Sequence, residues 1–152
     1  MTIPNYATDF YAWTQTQADA LRAKEWKTLD IDHLAEEIEA LGIHDEHAIT
    51  RQLQRLLLHL LKWRYQPTHR TPSWRRSIRQ ARDAIADRID RSHSLRDYPL
   101  QRLPLAYRRA RRDAAEDTGL PLATFPETCE WEMKDILRED FLPPARGEDM
   151  QG

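Results

Sequence analysis

Apolar residues recur along the chain at the three- and four-residue spacing that is typical of amphipathic helices. Near the start of the chain, Phe10, Trp13 and Leu21 lie close to one helical face, and Thr8 stands where a helix cap is expected. The pattern therefore predicts a first helix from about Thr8 to Lys24.

A second apolar stripe begins at Leu34, resumes at Ile49 and stops before Pro67. Gly42 interrupts it, at a cost of about 1 kcal/mol relative to alanine in a helix interior. We predict one long second helix over about residues 32–65, which is either continuous or kinked at Gly42.

Three further helices follow from local start and stop signals. Thr71 before Pro72 predicts a cap and the start of a third helix that ends near Ser92. A fourth helix is predicted from about Pro104 to just before Gly119. A fifth is predicted between Thr128 and the prolines at 143–144. We expect an all-α bundle of about five helices as a single domain over 1–143, with a flexible tail over 144–152.

The second and third helices are joined by a short connection, so they should pack antiparallel. One alignment pairs their two apolar stripes and also sets acidic residues of the third helix opposite arginines of the second. The pairs that it predicts are Leu53 with Ile85, Leu60 with Ile78, Arg51 with Asp87, and Arg55 with Asp83.

Composition supports a helical protein and excludes several classes. The chain has no valine but 17 Ala, 18 Leu and 19 Arg, which favours helix over sheet. No apolar run approaches the ~20 residues of a membrane span. Cys129 is the only cysteine, so an internal disulfide framework is excluded and a reducing cytoplasm is expected. No cofactor or membrane association is expected.

Charge is segregated along the chain. Residues 1–50 carry 3 basic and 10 acidic side chains, residues 51–112 carry 17 and 4, and residues 113–152 carry 3 and 11. The basic middle segment could be a nucleic-acid surface. The favoured interpretation is that the acidic ends fold against the basic middle and neutralise it.

The sequence also resembles a bacterial family known as domain of unknown function 29. The resemblance covers about Tyr6 to Pro143. It is carried, in order, by Asp9-Phe10-Tyr11-Ala12-Trp13, Leu34-Ala35-Glu36-Glu37-Ile38-Glu39, His59-Leu60-Leu61-Lys62-Trp63, Ser73-Trp74-Arg75 and Thr118-Gly119-Leu120-Pro121. It implies a small all-helical protein without an established activity or cofactor.

Two sets of side chains are candidates for chemistry. If the chain is an enzyme, a hydrolase or nuclease, its candidates are the polar residues within the resembling strings: Glu36, Glu37, His59 and Arg79. If it binds nucleic acid, arginines would contact phosphates and aromatic rings would stack on bases. That candidate surface comprises Arg64, Arg70, Trp74, Arg75, Arg76, Arg108, Arg109 and Arg112. The alternative is that Trp63 and Trp74 are core residues beside exposed arginines.

The histidine pair His44 and His47 gives little support for a metal site. His44 and His47 have metal-compatible spacing but no evident third ligand, and they are interpreted as surface residues.

The most favoured function is a non-enzymatic protein-interaction module that forms a homo-oligomer. A nucleic-acid-binding protein is the alternative, and an enzyme comes third. The sequence identifies no particular protein partner.

Overall fold

The structure, a computed structural model, describes residues 4–148. Those residues contain helices joined by short turns and contain no strand, which confirms the all-α prediction. They form two compact units, one that ends at His44 and one that begins at Asp45. The expectation of a single domain over 1–143 stays a prediction. No helix in the described range has the length and apolarity needed to cross a bilayer.

The first unit contains α1 (Phe10–Arg22) and the beginning of α2 (Ile31–Tyr65). The predicted cap was one residue too early, because Asp9 rather than Thr8 caps α1. The Oδ1 atom of Asp9 accepts a hydrogen bond from the backbone N–H of Ala12 at 3.1 Å. A carboxylate is a strong acceptor and also interacts favourably with the positive end of the helix dipole.

Helix α2 runs without interruption through Gly42. Glutamate, alanine and leucine, all good helix formers, directly precede the glycine and offset its unfavourable propensity. A Cβ atom built on Gly42 would meet no atom within 4 Å apart from the neighbouring backbone of its own helix. No other part of the described structure therefore packs against α2 at this point.

The second unit packs the rest of α2 against α3 (Pro72–Arg91) and α4 (Tyr98–Thr118). Thr71 caps α3 as predicted, with its hydroxyl accepting from the N–H of Trp74. The core includes apolar side chains from all three helices and two from the segment that follows. These are Leu53, Leu56, Leu57, Leu60, Leu61, Trp63, Ile78, Ala81, Ile85, Ala106, Tyr107, Ala110, Ala114, Phe125 and Ile136.

Polar contacts between α2 and α3 confirm that the two helices are antiparallel, but the predicted charge pairs do not form. Arg88 pairs with Asp45 at 3.6 Å. Arg55 donates to Gln80 at 3.0 Å and to Ser77, three and six residues before its predicted partner. Neutral acceptors within reach of the long arginine side chain therefore replace Asp83. The residue-by-residue apolar register stays a prediction.

The fourth helix begins earlier than predicted, at Tyr98, and holds Pro104 in its interior. A proline there removes the hydrogen bond to the carbonyl oxygen of Leu100. Leu100 and Pro104 are both exposed, so water can satisfy that oxygen. The helix ends as predicted at Gly119, which adopts a left-handed φ of 72°.

The predicted fifth helix is present but is much shorter than expected. Helix α5 is a single turn, Met133–Ile136, and the rest of residues 119–146 is mostly irregular. The chain also stays packed beyond it, because Ala145 is buried and the N–H of Arg146 donates to the carbonyl of Arg64 at 3.0 Å. Residues 149–152 of the predicted flexible tail lie outside the described range, and its flexibility stays a prediction.

Candidate interaction surface

The first turns of α2 present large apolar side chains to solvent. Ile31, Ile38 and Leu41 are 61%, 67% and 70% exposed, and Leu34 on the same face is half-buried. Ala35 and Gly42 complete the face, which we call the α2 stripe. Eight of the ten large exposed hydrophobic residues of the described chain lie between Phe10 and Ile43. An apolar cluster of this kind is typical of an interaction surface rather than of a solvated helix.

Acidic side chains predominate along the first turns of α2. The sequence from Thr28 to Thr50 contains seven acidic residues and no lysine or arginine. Asp32, Glu36 and Glu39 are exposed, and no hydrogen bond or ion pair engages their side chains within residues 4–148. Helical geometry places these three carboxylates on the side of α2 away from the stripe, so they do not line its border.

A polar network fixes the start of α2 against α1. The Oδ2 atom of Asp30 accepts from Trp13 Nε1 at 3.1 Å and from His33 Nδ1 at 2.7 Å. The side-chain oxygen of the buried Gln17 accepts from the backbone N–H of Asp30 at 2.7 Å. Three side chains therefore converge on one aspartate, and they fix the start of α2 against α1 within the first unit.

Electrostatics strengthen this network. The hydrogen bond from His33 lowers the pKa of Asp30, and the same bond raises the pKa of His33. Tyr6 stacks on His33 with ring centroids 4.0 Å apart and donates its hydroxyl hydrogen to Glu37. That hydrogen bond raises the pKa of Tyr6. Glu37 therefore positions the N-terminal segment against α2.

In the second unit, arginines bind backbone carbonyl groups of the irregular segment. Arg82 is 7% exposed and donates to the carbonyl oxygens of Ile136, Glu139 and Phe141 at 2.9, 3.1 and 2.7 Å. Desolvation by burial lowers the pKa of its guanidinium group. Arg111 donates to the carbonyl of Phe125 at 3.1 Å.

The arginine-rich middle of the chain therefore has a structural use. A segment that lacks its own helical hydrogen bonds receives donors from side chains of α2, α3 and α4. The buried Arg64 of α2 contributes one of these bonds, to the carbonyl oxygen of Pro144 at 3.1 Å.

Cations of the same chain lie over the ring of Trp74, which belongs to the candidate nucleic-acid surface, and over the ring of Trp63. Trp63 is buried, and the guanidinium groups of Arg70 and Arg75 lie 4.5 and 5.2 Å from its ring centroid. The ammonium group of Lys62 lies 4.8 Å from the ring centroid of Trp74. Arg76, Arg108, Arg109 and Arg112 are exposed. The structure thus offers exposed arginines, while the rings of Trp63 and Trp74 already have cations of the same chain against them.

The four candidate catalytic residues are divided between the two units. Glu36 and Glu37 belong to the first, His59 and Arg79 to the second. Burial lowers the pKa of His59, whose Nδ1 bonds to the carbonyl oxygen of Arg55 at 2.9 Å. Arg79 is exposed, and neither a hydrogen bond nor an ion pair links it to His59 within the described range. We find no nucleophile–base arrangement among these residues.

Neither the acidic and histidine side chains nor the groove beside α4 forms an evident reactive site in the described residues. Over residues 4–148, no group of three His, Cys, Asp or Glu side chains is placed to hold a metal ion. An open groove of about 550 Å³ lies beside α4 and is lined in part by Tyr107, Arg108, Arg111 and Cys129. Burial raises the pKa of the Cys129 thiol, which makes it a poor nucleophile.

Sequence reasoning missed two features that carry a visible signal. The spacing of Ile31, Leu34, Ile38 and Leu41 is that of a coiled-coil seam, but the predicted stripe on the second helix began only at Leu34 and was not identified as an exposed seam. Arg82 follows Ile78 by four residues and therefore lies on the apolar face of α3, where a charged residue requires a buried partner.

Comparison with known proteins identifies one family. The sequence model of the family described as Domain of unknown function DUF29 matches residues 5–142 of this chain. No curated protein and no solved structure matches it.

Proposed function

The chain belongs to the family described as Domain of unknown function DUF29, and we propose that it is a non-enzymatic protein-interaction module. The observation that carries this proposal is the α2 stripe, in which Ile31, Ile38 and Leu41 are all more than half exposed. Burying side chains of this size contributes about 1.5–3 kcal/mol each. A partner that covers the stripe would gain that free energy.

The surroundings of the stripe also support docking. Asp30 holds α2 through three side-chain contacts, so the helix presents its apolar face from a fixed base. A surface that is already ordered loses less conformational entropy when it binds. The stripe lies in the first unit, and none of its residues belongs to the buried core of the second unit.

Site-specific photo-crosslinking tests the proposal. A photo-reactive amino acid replaces Ile38 in one version of the protein and Leu122 in a control, since both residues are large, apolar and exposed. In the cells that make the protein, we expect a discrete protein adduct from position 38 and none from position 122. Leu41→Asp should abolish the adduct. Equal adducts from both positions, or none from position 38, would contradict the proposal.

Two finer statements accompany this proposal. We propose a cytoplasmic location, supported by the use of one cysteine in 152 residues. Homo-oligomerisation stays a prediction, in which acidic residues of one copy would meet basic residues of another. Light scattering tests it directly, because a single copy has a mass of 18.0 kDa.

A further inference from the structure

We infer that the open groove beside α4 binds a small organic carboxylate, in which an apolar body carries one negatively charged end. The groove lies wholly within the second unit and shares no residue with the α2 stripe, so this inference goes beyond the proposed function and does not depend on it. Its basis is the combination of an apolar wall, two arginines and open volume in one place.

One face of α4 and the chain just after Pro126 form the two sides of the groove. Its volume of about 550 Å³ is within the range of about 300–1,000 Å³ that is typical of small-molecule sites. Residues 127–129 line one side. The other side is lined by residues that recur at helical spacing along α4, namely Leu103, Pro104, Tyr107, Arg108 and Arg111.

Much of the wall is apolar. Leu103 is half-buried, and Pro104 beside it is exposed. Tyr107 is buried and its hydroxyl donates to the carbonyl oxygen of Pro126 at 2.6 Å, so its ring rather than its hydroxyl is left for a ligand. Because burial raises the pKa of the Cys129 thiol, the thiol is neutral near pH 7 and acts as a small apolar group. The apolar body of a ligand would therefore contact apolar surface on both sides of the groove.

Arg111 supplies an anchored guanidinium group. Its Nε atom donates to the carbonyl oxygen of Phe125 at 3.1 Å, which holds the half-buried side chain in place. A guanidinium group has five N–H donors in fixed directions, and Arg111 makes no other hydrogen bond or ion pair within residues 4–148. Its remaining donors are therefore available to an anion, and little conformational entropy is lost when the anion binds.

Arg108 brings a second positive charge to the same side of the groove. Residues three apart on a helix are neighbours, so Arg108 and Arg111 repel each other weakly. Arg108 is exposed and has neither a hydrogen bond nor an ion pair in the part of the chain that the structure describes. A carboxylate placed beside both would replace this repulsion with two attractions, since its two oxygen atoms can accept from both guanidinium groups.

Glu127 limits the charge that the groove accepts. Two arginines and one glutamate line it, so its net formal charge is +1. Glu127 forms no ion pair with either arginine over residues 4–148. One carboxylate would therefore neutralise the groove, whereas a phosphate dianion would leave an excess of negative charge beside Glu127. An ammonium group would be repelled by both arginines.

A matched ligand series tests the inference with the full-length protein. The compounds 4-phenylbutyrate, 4-phenylbutanol and 4-phenylbutylamine share an apolar body and differ in the charge at one end. Titrations followed by two-dimensional NMR give their dissociation constants. We expect a Kd of about 1 mM or lower for 4-phenylbutyrate, at least about tenfold tighter than for the amine, with the alcohol between them. Inorganic phosphate at the same concentration should not displace 4-phenylbutyrate.

Matched charge variants locate the site. Arg108→Gln should weaken binding of 4-phenylbutyrate at least about threefold and leave binding of 4-phenylbutanol unchanged. Arg109→Gln, at an exposed arginine that does not line the groove, should change binding less than about twofold. Glu127→Gln should strengthen binding of 4-phenylbutyrate, because a nearby negative charge is removed. All three residues are exposed, so the variants should fold, and circular dichroism checks this.

Cys129 provides a second, independent measure of occupancy. It is the only cysteine of the chain, and it lines the groove. Its alkylation by iodoacetamide at about pH 8.5 is followed by mass spectrometry. Saturating 4-phenylbutyrate should slow this reaction at least about threefold, because the bound ligand shields the thiol, whereas 4-phenylbutylamine at the same concentration should not.

Other outcomes overturn the inference. Equal binding of the three compounds would mean that the groove does not select a carboxylate. If 4-phenylbutyrate is preferred but neither Arg108→Gln nor the alkylation of Cys129 responds, the compound binds elsewhere. If none of the three binds, the groove is only a solvated surface. Ile38→Ser should leave 4-phenylbutyrate binding unchanged, which separates this test from the test of the α2 stripe.

Discussion

The Nη2 atom of Arg82 lies 2.7 Å from the carbonyl oxygen of Phe141, a residue 59 positions later in the chain. With the bonds to Ile136 and Glu139, this contact connects the middle of α3 to a segment that has only one helical turn. The planar guanidinium group supplies several donors in fixed directions, which suits three carbonyl oxygens at once.

Replacing Arg82 should therefore destabilise the protein strongly. In Arg82→Met, we expect the free energy of unfolding to fall by about 3 kcal/mol or more, because charged hydrogen bonds are lost and buried carbonyl groups lose their donor. Arg82→Lys should also be destabilising, since one ammonium group does not match three carbonyl oxygens. Urea denaturation measures both. Arg79→Met, at an exposed position of the same helix, should change stability by less than about 0.5 kcal/mol.

The core of the second unit provides another test of packing. Leu57 is fully buried in it, so Leu57→Ala should cost about 2–5 kcal/mol through lost burial and the cavity that remains. Leu122→Ala, at an exposed position, should have a much smaller effect in the same denaturation experiment. Similar losses from the two variants would mean that α2 is not packed as described.

The contact between His33 and Asp30 should make the first unit sensitive to pH. Because the pKa of His33 is raised, its contribution to stability is complete below the ordinary histidine pKa of about 6.5 and is lost as pH rises through the raised pKa. Because the pKa of Asp30 is lowered, its contribution is complete above about 3.9 and is lost as pH falls through the lowered pKa. The pair is therefore strongest between those two limits.

An NMR titration of the imidazole signals tests this directly. His33 should titrate above the ordinary histidine pKa in the unmodified protein, and Asp30→Asn should lower its pKa. Asp83→Asn is the control, because Asp83 is in the second unit. A His33 pKa that does not change in Asp30→Asn would contradict the assigned contact.

Generic DNA and RNA should bind weakly or not at all at physiological salt. Arg70 and Arg75 already cover the face of Trp63, and Lys62 covers Trp74, so stacking on bases would have to displace them. A labelled oligonucleotide titrated at several salt concentrations measures the affinity. Micromolar or tighter binding that falls steeply with salt, and that is lost in a folded Arg75→Ala/Arg76→Ala variant, would favour the nucleic-acid alternative instead.

Local signals in the sequence predicted several helix ends correctly. Thr71 before Pro72 and Gly119 after α4 act within one turn of the backbone, so their effect is visible without the rest of the fold. The predicted start of α4, near Pro104, was wrong because a proline is normally unfavourable inside a helix and was therefore placed at its beginning. Here Pro104 is tolerated on an exposed face, a circumstance that depends on tertiary structure.

The remaining errors concern long-range partners. Residues near Ile136 have a helix-like apolar pattern, but the donors of Arg82 satisfy carbonyl groups there that a helix would otherwise pair. Periodicity identified an apolar face at Ile38 but could not show that it remains uncovered. For the same reason, the sequence suggested candidate residues without showing which of them form a surface.

Because Arg82 binds the C-terminal segment, the order of that segment indicates whether the contact between α3 and the segment is intact. Lys134 and Arg138 are exposed trypsin sites on a stretch whose order depends on a side chain of α3. Local opening of such a segment needs fewer broken contacts than global unfolding, so its amides should exchange with solvent before those of the core. Replacement of Arg82 should then be detected first as trypsin cleavage at Lys134 or Arg138, more than 50 residues away in sequence.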